Sequence, residues 1–450
     1  MEDGAGSRRK ALTAASWVVR FRCKRLHRRD SVRYLCGLLL AGAGLLACHP
    51  AAAPRRSLTF WAMGVEGEEV RTLVPEFEQR YPGTRVIVQS IPWSAAHEKL
   101  LTAFAGGALP DVAQLGNTWL PEFQAIGALL PLDQLIASSG TIRADTYFPG
   151  IWETNRMGDR IYGIPWYVDT RVLFYRIDLF RQAGISHPPS TWEEWLETCE
   201  RVRQARPGTY PVFFPLIYTE WQVPLLFVLQ NNGILLADGN ARGALDDPRT
   251  VEALRHYLRF FERGHAPTRM TEFANLLQAF ASANIAMMIT GPWNVGELRR
   301  RYPALESQWT TTPLPGHKNR LSVAGGSSLV IFSTCSNHEL AWKWIEFLSE
   351  PASQFRFFQL TGDLPPRKDS WQLGIREDPK MTAFYEQLSA VASMPKIAEW
   401  EQVAVKIQEH LEAVVLGRRT LEEAIPLLNR DLDAILEKRR WLLTKGLLAE

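Results

Sequence analysis

Aromatic rings stand beside hydrogen-bonding side chains, often with glycine, at four places in the sequence. These places are residues 61–66, 116–119, 164–171 and 291–294. A flat ring packs well on the apolar C–H face of a pyranose, and a ring side chain buries a large area when it does so. Carboxylates and arginine give sugar hydroxyls charge-assisted hydrogen bonds, which are stronger than neutral ones. The combination indicates a carbohydrate cleft, although any single Trp in it is as often a core residue.

Motifs of common catalytic sites are missing from the sequence. It holds no P-loop, no G-x-G-x-x-G after a strand, no H-E-x-x-H and no G-x-S-x-G. The histidines are scattered, and Cys199 and Cys335 have no C-x-x-C spacing, so we expect neither a zinc site nor any other cofactor. Glu66 and Asp169 remain as an alternative, because two carboxylates in one cleft are the machinery of glycoside hydrolases.

Strand and helix patterns alternate in the part of the chain that carries these residues. β-Branched or apolar runs predict strands at 58–61, 85–88 and 112–115, and helical spacing predicts helices at 66–80, 97–104 and 119–126. Short links between such elements are typical of a parallel sheet covered by helices on both faces. Ligands of such sheets bind beyond the carboxyl ends of the strands, where the aromatic and polar residues lie.

Similar elements continue to the end of the chain. Strands are predicted at 171–175, 285–289 and 329–332, and helices at 338–348, 402–415 and 421–436. Residues 190–194 have the composition of a capping box that opens another helix. Since no low-complexity linker interrupts the pattern, two lobes would have to be joined by chain crossings at strand ends.

The first 47 residues have the features of an export signal. They hold ten Lys or Arg against three acidic residues, and the uncharged run 34–47 is too short to span a membrane. It ends in Leu45-Leu46-Ala47-Cys48, which resembles the lipobox of bacterial lipoproteins, where the cysteine is lipidated. The remaining chain has 41 basic and 45 acidic side chains, a formal net charge of −4. It therefore carries no basic footprint for nucleic acid.

A set of ordered motifs covers nearly the whole chain after Cys48. The motifs are LTFWAMG (58–64), FEQRYPGTRV (77–86), PDVAQLGNTW (110–119), GIPWYVDTRVLFYRIDLF (163–180), MITGPWN (288–294), AGGSSLVI (324–331), AWKWIEFLSEPASQF (341–355) and LPPR (364–367). In this order and spacing they resemble family 1 extracellular solute-binding proteins, the sugar-binding components of bacterial ABC importers. Within that family the chain is most similar to binders of maltose, trehalose and related glucosides.

The resemblance implies an α/β fold of two lobes, each a mostly parallel sheet flanked by helices, with the ligand cleft at the hinge. The N-terminal lobe would comprise residues 48–167 and 326–365, and the C-terminal lobe residues 168–325 and 366–450, after a signal peptide at 1–47. The implied partners are a small sugar, the permease subunits of an ABC importer and the membrane through the lipid on Cys48. We expect a monomer in the periplasm or cell envelope, anchored by lipid.

The resemblance also assigns roles to individual residues. In the N-terminal lobe, Glu66 and Asn117 would bond sugar hydroxyls, and Trp119 lies in the same strand-end loop as Asn117. Tyr167 and Asp169 match the aromatic residue and the carboxylate of the first hinge motif. Their i, i+2 spacing on an extended strand points both side chains to one face. Alternatively, Asp169 pairs with Arg171 and only stiffens the hinge.

Further residues are implied for the second lobe and the other crossings. Trp293 matches a stacking residue, Gly325 and Gly326 a backbone contact, and Arg367 a ligand-binding arginine, while Trp221 and Trp400 lie in regions that supply further rings. Asn117 stands where close relatives often have Asp, and Ser327 stands where some have Trp. Both departures leave the choice of sugar open.

Two classes of function follow from these residues. The first is a binding lipoprotein without catalytic activity that closes on a sugar and docks on a permease. The second is an exported carbohydrate-active enzyme that uses Glu66 and Asp169. A sensor that presents the same sugar to a receptor has the same sequence features as the importer component.

The lipobox generates a direct prediction about membrane attachment. Cys48→Ser should move the protein from the membrane fraction to the soluble exported fraction, because the lipid on this cysteine is its proposed anchor. Fractionation and immunoblotting measure the change. Cys36→Ser, which alters a cysteine within the signal core, is the control and should leave the protein on the membrane. Sedimentation of the Cys48→Ser variant with membranes would contradict the lipobox interpretation.

Overall fold

The computed structural model describes residues 56–216, 220–269 and 275–448. The predicted signal peptide and the lipidation site at Cys48 lie outside the described residues. Within these ranges the chain forms one unit of mixed α/β structure. Its helices are α1 Gly64–Glu69, α2 Val74–Arg80, α3 Trp93–Ala105, α4 Leu120–Ala125, α5 Asp133–Ala137, α6 Pro149–Glu153, α7 Ile177–Gln182, α8 Trp192–Ala205, α9 Gln222–Gln230, α10 Pro248–Glu262, α11 Leu276–Ala281, α12 Trp293–Arg301, α13 His338–Leu348, α14 Pro351–Thr361, α15 Pro379–Leu388, α16 Trp400–Val415, α17 Leu421–Ile435 and α18 Glu437–Thr444.

Two larger sheets and three short strand pairs make up the β-structure of these ranges. The strands are β1 Arg56–Met63, β2 Thr84–Ile91, β3 Val112–Gly116, β4 Arg156–Met157, β5 Arg160–Ile161, β6 Ile164–Asp169, β7 Val172–Arg176, β8 Tyr210–Phe213, β9 Leu236–Ala237, β10 Arg242–Gly243, β11 Ile285–Thr290, β12 Trp309–Thr312, β13 Ser322–Val323, β14 Gly325–Ile331 and β15 Val391–Ala392. The first sheet has the order β2-β1-β3-β14-β6, and the second has the order β12-β7-β11-β8.

One strand in each sheet runs against the others. In the first sheet β14 is antiparallel to β3 and β6, and in the second β7 is antiparallel to β11 and β12. Two residues separate the end of β6 from the start of β7, and one residue, Ala324, separates β13 from β14. The reversed strands are therefore the ones that enter each sheet from the other, so their amino ends meet the carboxyl ends of their neighbours.

Each large sheet has a hydrophobic cluster on both faces, as the alternation of strand side chains requires. In β14, Leu329 and Ile331 join one cluster of the first sheet, while Val330 joins the other. In β7, Leu173 belongs to one cluster of the second sheet and Phe174 to the other. Burial on both faces explains why these strands have continuous apolar runs rather than an alternating pattern.

The predicted elements are confirmed, with small changes of boundary. The helix predicted at 338–348 has those bounds as α13, and residues 190–194 open α8, with the Thr191 hydroxyl accepting from the Glu194 N–H. The helix predicted at 66–80 is instead divided into α1, a 3₁₀ turn at Val70–Thr72 and α2. Pro75 lies in the first turn of α2, where a missing N–H costs nothing, so the division falls before it.

The third passage between the sheets follows α14. Leu364 accepts a hydrogen bond of 2.8 Å from the Val168 N–H, and Leu364, Trp371 and Phe384 then pack in a cluster of the second sheet. Helices α13 and α14, which precede this point, pack on the first sheet through Trp344 and Phe357. The lobe boundaries given above stay a prediction, but the chain passes between the sheets at residues 170–171, 324 and near 364.

Buried histidines generate a prediction about acid stability. His265 is fully buried, and neither ring nitrogen makes a hydrogen bond to the described residues. Burial lowers its pKa to about 4, although Glu200 at 3.9 Å acts in the opposite direction. Because the unfolded chain takes up the proton first, the free energy of unfolding should fall as pH drops from about 7 to 5. His265 alone should account for about 1–2 kcal/mol of that loss.

Urea unfolding at several pH values measures this effect. His265→Gln should flatten the pH dependence by about that amount, whatever its stability at pH 7. The exposed His187 supplies the control, since His187→Gln should leave the slope as in the wild type. An equal slope in the His265→Gln protein would show that this ring is not held neutral by the fold.

Candidate functional site

A hydrogen-bond network joins four elements at the carboxyl edge of the first sheet. The Met63 N–H donates to Gln114 Oε1 at 2.8 Å, which fixes the amide of Gln114 so that its NH₂ faces the other way. That NH₂ donates to Tyr167 Oη and to Ser327 Oγ, each at 3.1 Å. The Ser327 hydroxyl donates to Tyr167 at 3.0 Å, and the Tyr167 hydroxyl donates to Glu66 Oε1 at 2.8 Å. Every donor in this series of hydrogen bonds is therefore directed towards Glu66.

Glu66 is held as an acceptor near the end of β1. The carboxyl also bonds the side chain of Trp93, a ring that is 38% exposed. Burial raises the pKa of Glu66 above its usual value, while hydrogen bonds from its own backbone and from Tyr167 act in the opposite direction. A buried carboxylate beside a partly exposed ring is suited to accept a ligand hydroxyl.

A buried arginine organises the first crossing to the second sheet. The Arg171 guanidinium bonds Asp169 and lies 3.4 Å from Glu220, and its carbon lies 4.8 Å from the centre of the Trp293 ring. Arg171 is buried, whereas the Asp169 side chain is 26% exposed and its second oxygen has no protein partner among the described residues. The pairing considered as an alternative for Asp169 is thus present, but it leaves acceptor capacity on the carboxylate.

Trp293 owes its position to the glycine that precedes it by two residues. Strand β11 ends at Thr290, and a Cβ on Gly291 would lie 1.9 Å from Cζ3 of the Trp293 ring. The ring therefore folds back over the strand end and lies under Arg171. Asn294 donates to the Thr290 hydroxyl at 2.7 Å and fastens the same turn. The structure brings Trp293 and Asp169 together through their shared contact with Arg171.

The loop after β3 forms hydrogen bonds with residues 324–326, at the start of β14, and with α16. The Asn117 side chain donates to the Ala324 carbonyl at 2.6 Å, and its backbone N–H donates to Gly326 at 3.0 Å. The Thr118 hydroxyl donates to Glu401 at 2.5 Å. Asn117 is therefore committed to the crossing by its amide donor, and this loop links both lobes.

The remaining predicted rings form two separate pairs. Trp119 lies edge-on to Trp93, with ring centres 5.6 Å apart, and so belongs to the surroundings of Glu66. Trp221 and Trp400 are buried against each other at 5.3 Å, and Trp221 directly follows Glu220. The Trp221–Trp400 pair supports the second lobe behind the Arg171 ion pairs, which is the role of core residues.

Arg367 does not join the cluster of predicted site residues. Its guanidinium pairs with Asp369 at 2.6 Å and donates to the carbonyls of Thr141 and Ser349 at 2.6 and 3.1 Å. It is buried beside the Tyr147 ring. Four of its N–H donors are thereby used by the protein, so the structure gives Arg367 a role in holding the third crossing rather than the ligand-binding role that the resemblance implies.

The chemistry of this site is that of hydrogen bonding and ring stacking. No group of His, Cys, Asp or Glu in the described residues is arranged to hold a metal ion. Cys199 and Cys335 are buried free thiols. Within the part of the chain that the structure covers, no helix combines the length and apolar character needed to cross a membrane.

Comparison with known proteins assigns this arrangement to a family. Residues 64–355 match the model of the bacterial extracellular solute-binding proteins, and this span includes the network of Glu66, the crossing at Arg171 and the turn of Trp293. The chain belongs to this family.

Solved structures and curated relatives agree with the assignment. The sugar-binding protein MalE of Xanthomonas citri has 42% sequence identity and a TM-score of 0.83, over 86% of this chain and 99% of that one. A solute-binding protein of Thermotoga lettingae bound with α-D-tagatose has 27% identity and a TM-score of 0.73, over 85% of this chain and all of its own. The diacetylchitobiose-binding protein DasA of Streptomyces coelicolor is 24% identical over 82% of this chain and 87% of its own length. The two-lobe α/β fold is therefore shown.

Three residues that the structure places near the predicted site residues of this solute-binding protein were not predicted from the sequence. Gln114 is a fully buried polar residue in an apolar strand, which is a recognisable sign of a buried network. Trp93 follows the end of β2, a strand end whose loop was not considered. Asp363, two residues after Thr361 and one before Leu364, has no signal in the sequence, because only the passage near 364 brings it beside β6.

The two glycines that begin β14 allow its backbone to pack closely against the backbone of β6. A Cβ on Gly325 would lie 2.6 Å from the Asp169 carbonyl, and one on Gly326 would lie 2.4 Å from the Tyr167 carbonyl. Gly326 also has a φ of +121°, which side chains rarely adopt. Their role as ligand contacts stays a prediction, but their small size is required for β14 to pair with β6.

Gly326→Ala should therefore lower the free energy of unfolding by about 3 kcal/mol or more, through the combined backbone strain and clash. Gly417→Ala is the matched control, because Gly417 has a φ of +67° with open space around it and should cost only about 1 kcal/mol. Urea unfolding of both variants measures the difference. Equal losses in the two proteins would mean that β14 can move away from Tyr167 freely.

Proposed function

We propose that this protein binds a glucose-containing di- or oligosaccharide between its lobes and delivers it to the permease of an ABC importer. The observation that carries the proposal is the placement of carboxylates beside aromatic rings at the edges of both sheets. Glu66 lies beside Trp93, and Asp169, with one oxygen unpaired in the described chain, bonds the Arg171 guanidinium that lies on the Trp293 ring. A pyranose has an apolar C–H face, on which the rings would pack, and a rim of hydroxyls, from which the carboxylates would accept hydrogen bonds.

The relatives support a sugar as the ligand while differing in which sugar they bind. They include MalE, a diacetylchitobiose-binding protein and a protein bound with tagatose. The sugar-binding protein MalE of Xanthomonas citri is the most similar of these three, which favours a sugar as the ligand of this chain. The same scaffold thus serves several sugars, and the residues around Trp93, Asn117 and Ser327 would decide among them.

Binding without catalysis is the function that the geometry favours over glycoside hydrolysis. A hydrolase needs one carboxyl that gives a proton to the leaving oxygen. Glu66 receives the donors of the Gln114–Ser327–Tyr167 network, and Asp169 is paired with Arg171. Each carboxyl has an oxygen that accepts from the protein, which suits hydroxyl binding, and the family is one of solute-binding proteins. Incubation with radiolabelled disaccharides tests this, since intact sugar should be recovered and accumulating monosaccharide would support an enzyme.

The proposal includes the setting of the protein. The lipid on Cys48 would hold the chain at the cell envelope after removal of residues 1–47, and the protein would act as a monomer. The lobes would comprise residues 48–167 with 326–365 and residues 168–325 with 366–450. Docking of the closed form on two permease subunits would follow sugar binding.

A thermal-shift panel of mono-, di- and oligosaccharides tests the proposed function directly. A ligand present at a hundred times its Kd should add about 2.7 kcal/mol to the stability of the folded state. Calorimetry then gives the affinity of the best sugar. No shift with any glucose-containing sugar, at concentrations up to several millimolar, would contradict the proposal.

Asp169→Asn should weaken binding of that sugar by about 10–100-fold. The change keeps the size of the side chain but removes the charge that strengthens its hydrogen bonds to hydroxyls, a loss of about 1.5–3 kcal/mol. Isothermal titration calorimetry measures the effect, and thermal unfolding shows whether the Arg171 contact with Glu220 is enough to keep the hinge folded.

The chain offers a closely matched control for this substitution. Arg176 and Asp178 form a second ion pair with one residue between the partners, at 2.8 Å, and the Asp178 side chain is 27% exposed, against 26% for Asp169. This pair lies at the far end of β7, so Asp178→Asn removes an equivalent ion pair without changing the cleft. Equal affinities in the Asp169→Asn and Asp178→Asn proteins would remove Asp169 from the site.

A further inference from the structure

Glu220 is a second carboxylate on the guanidinium that holds Asp169. Glu220 Oε2 lies 3.4 Å from one terminal nitrogen of Arg171, and Asp169 bonds the other terminal nitrogen. The two carboxylates are alike in exposure, since the side chain of Glu220 is 31% exposed and that of Asp169 is 26% exposed. The Arg171 side chain that joins them is buried. A partly exposed carboxylate therefore lies at each terminal nitrogen of a buried cation.

Glu220 and Asp169 come from different parts of the fold. Asp169 is the last residue of β6 in the first sheet, whereas Glu220 directly precedes Trp221 and α9. Trp221 is buried against Trp400, and both rings belong to a hydrophobic cluster of the second sheet. The packing of Trp221 thus fixes the place from which Glu220 reaches Arg171. The part of the fold built on each sheet supplies one carboxylate to the same guanidinium.

The charges of this cluster do not cancel. Two carboxylates share one guanidinium, and no other cation of the described residues forms an ion pair with Asp169 or Glu220. The second oxygen of Glu220, like that of Asp169, has no partner in the part of the chain that the structure covers. Such oxygens need hydrogen-bond donors, and every sugar hydroxyl is a donor. A hydroxyl bonds a carboxylate more strongly than it bonds a neutral acceptor.

We propose that Glu220 is a ligand-binding residue of the second lobe, which accepts a hydrogen bond from a sugar hydroxyl close to the one that Asp169 accepts. This inference rests on the proposed function and names a further contact of the same cleft. Because the two terminal nitrogens of a guanidinium are neighbours, hydroxyls of one sugar residue can reach both carboxylates. A sugar held in this way bonds both lobes at once, beside the Trp293 ring on which Arg171 lies.

Glu220→Gln should weaken binding of the best sugar in the panel by about tenfold. The amide keeps the length of the side chain and an oxygen that accepts from Arg171, but it removes the charge that strengthens the bond to a hydroxyl. Isothermal titration calorimetry measures the Kd, and thermal unfolding checks that the fold is kept.

Glu306→Gln is the matched control for this substitution. Glu306 bonds the buried Lys380 at 2.8 Å, so the change also removes a carboxylate charge from a buried cation. Its 3₁₀ turn leads into β12 opposite Arg176, at the far end of β7 from Arg171. The Glu306→Gln protein should therefore bind the sugar with the affinity of the wild type.

Monodeoxy derivatives of the best sugar distinguish a ligand contact from a merely structural role. Loss of the hydroxyl that meets Glu220 should cost the wild type about tenfold in affinity, but should cost Glu220→Gln about threefold or less. A residue that only positions Arg171 would instead weaken the parent sugar and every derivative by the same factor. Glu220→Asp keeps the charge beside Arg171 and shortens the side chain, so it should show the same reduced dependence on that hydroxyl even where Glu220→Gln does not fold.

Two results would overturn the contact of Glu220 with the sugar. The first is wild-type affinity in the Glu220→Gln protein, and the second is an equal loss for the parent sugar and all of its deoxy derivatives. Absence of any sugar binding by the wild type is a different result, because it would overturn the proposed function and this proposal together.

Discussion

The Tyr167 hydroxyl is the point at which four elements of the first sheet meet. It donates to Glu66 after β1 and accepts from Gln114 on β3 and Ser327 on β14, while its own backbone belongs to β6. A buried hydroxyl without partners costs free energy, so the four elements are held at the distances that keep this group satisfied. The same network sets the position and the acceptor state of Glu66. The position of Glu66 and the packing of β6 therefore depend on the same hydrogen bonds, and neither can be altered without the other.

Arg171 has the equivalent role where the chain enters the second sheet. A guanidinium this deeply buried is tolerated only because Asp169 and Glu220 neutralise it and because it lies on the Trp293 ring. These three partners come from β6, from the segment before α9 and from the turn after β11. The charge thus draws together a carboxylate of the first sheet and a ring of the second. The residues predicted to bind the ligand, Asp169 and Trp293, are thus gathered around one cation where the chain passes between the sheets.

Much of this arrangement follows from the sequence, and the parts that do not share a physical reason. Apolar runs and helical spacing predicted the strands and helices, because burial on both faces of a sheet leaves a clear pattern, as in β3 and β11. Strand ends located Glu66, Tyr167, Asp169 and Trp293. The role of Arg367 was not predictable, because a guanidinium bonds a ligand or the carbonyls of Thr141 and Ser349 equally well, and only the fold decides which is near. The position of Asp363 was not predictable for the same reason, since β6 and the turn of Trp293, which lie beside it, are about 70 to 200 residues away in the sequence.

The carboxylates at this hinge are held in position before any ligand binds. Arg171 and Glu66 are buried and hold their hydrogen-bond partners before any ligand arrives, and Arg171 fixes Asp169 while the side chain of Asp169 stays 26% exposed. Preorganised acceptors of this kind lose less free energy on association than side chains that must be ordered and dehydrated at that moment. The backbone is preorganised as well, because Gly325 and Gly326 allow β14 to lie against β6 without a side chain between them. Affinity in such a site depends on how well the hinge is assembled, so residues that never touch the ligand, such as Gln114 and Arg171, contribute to it through the groups they hold in place.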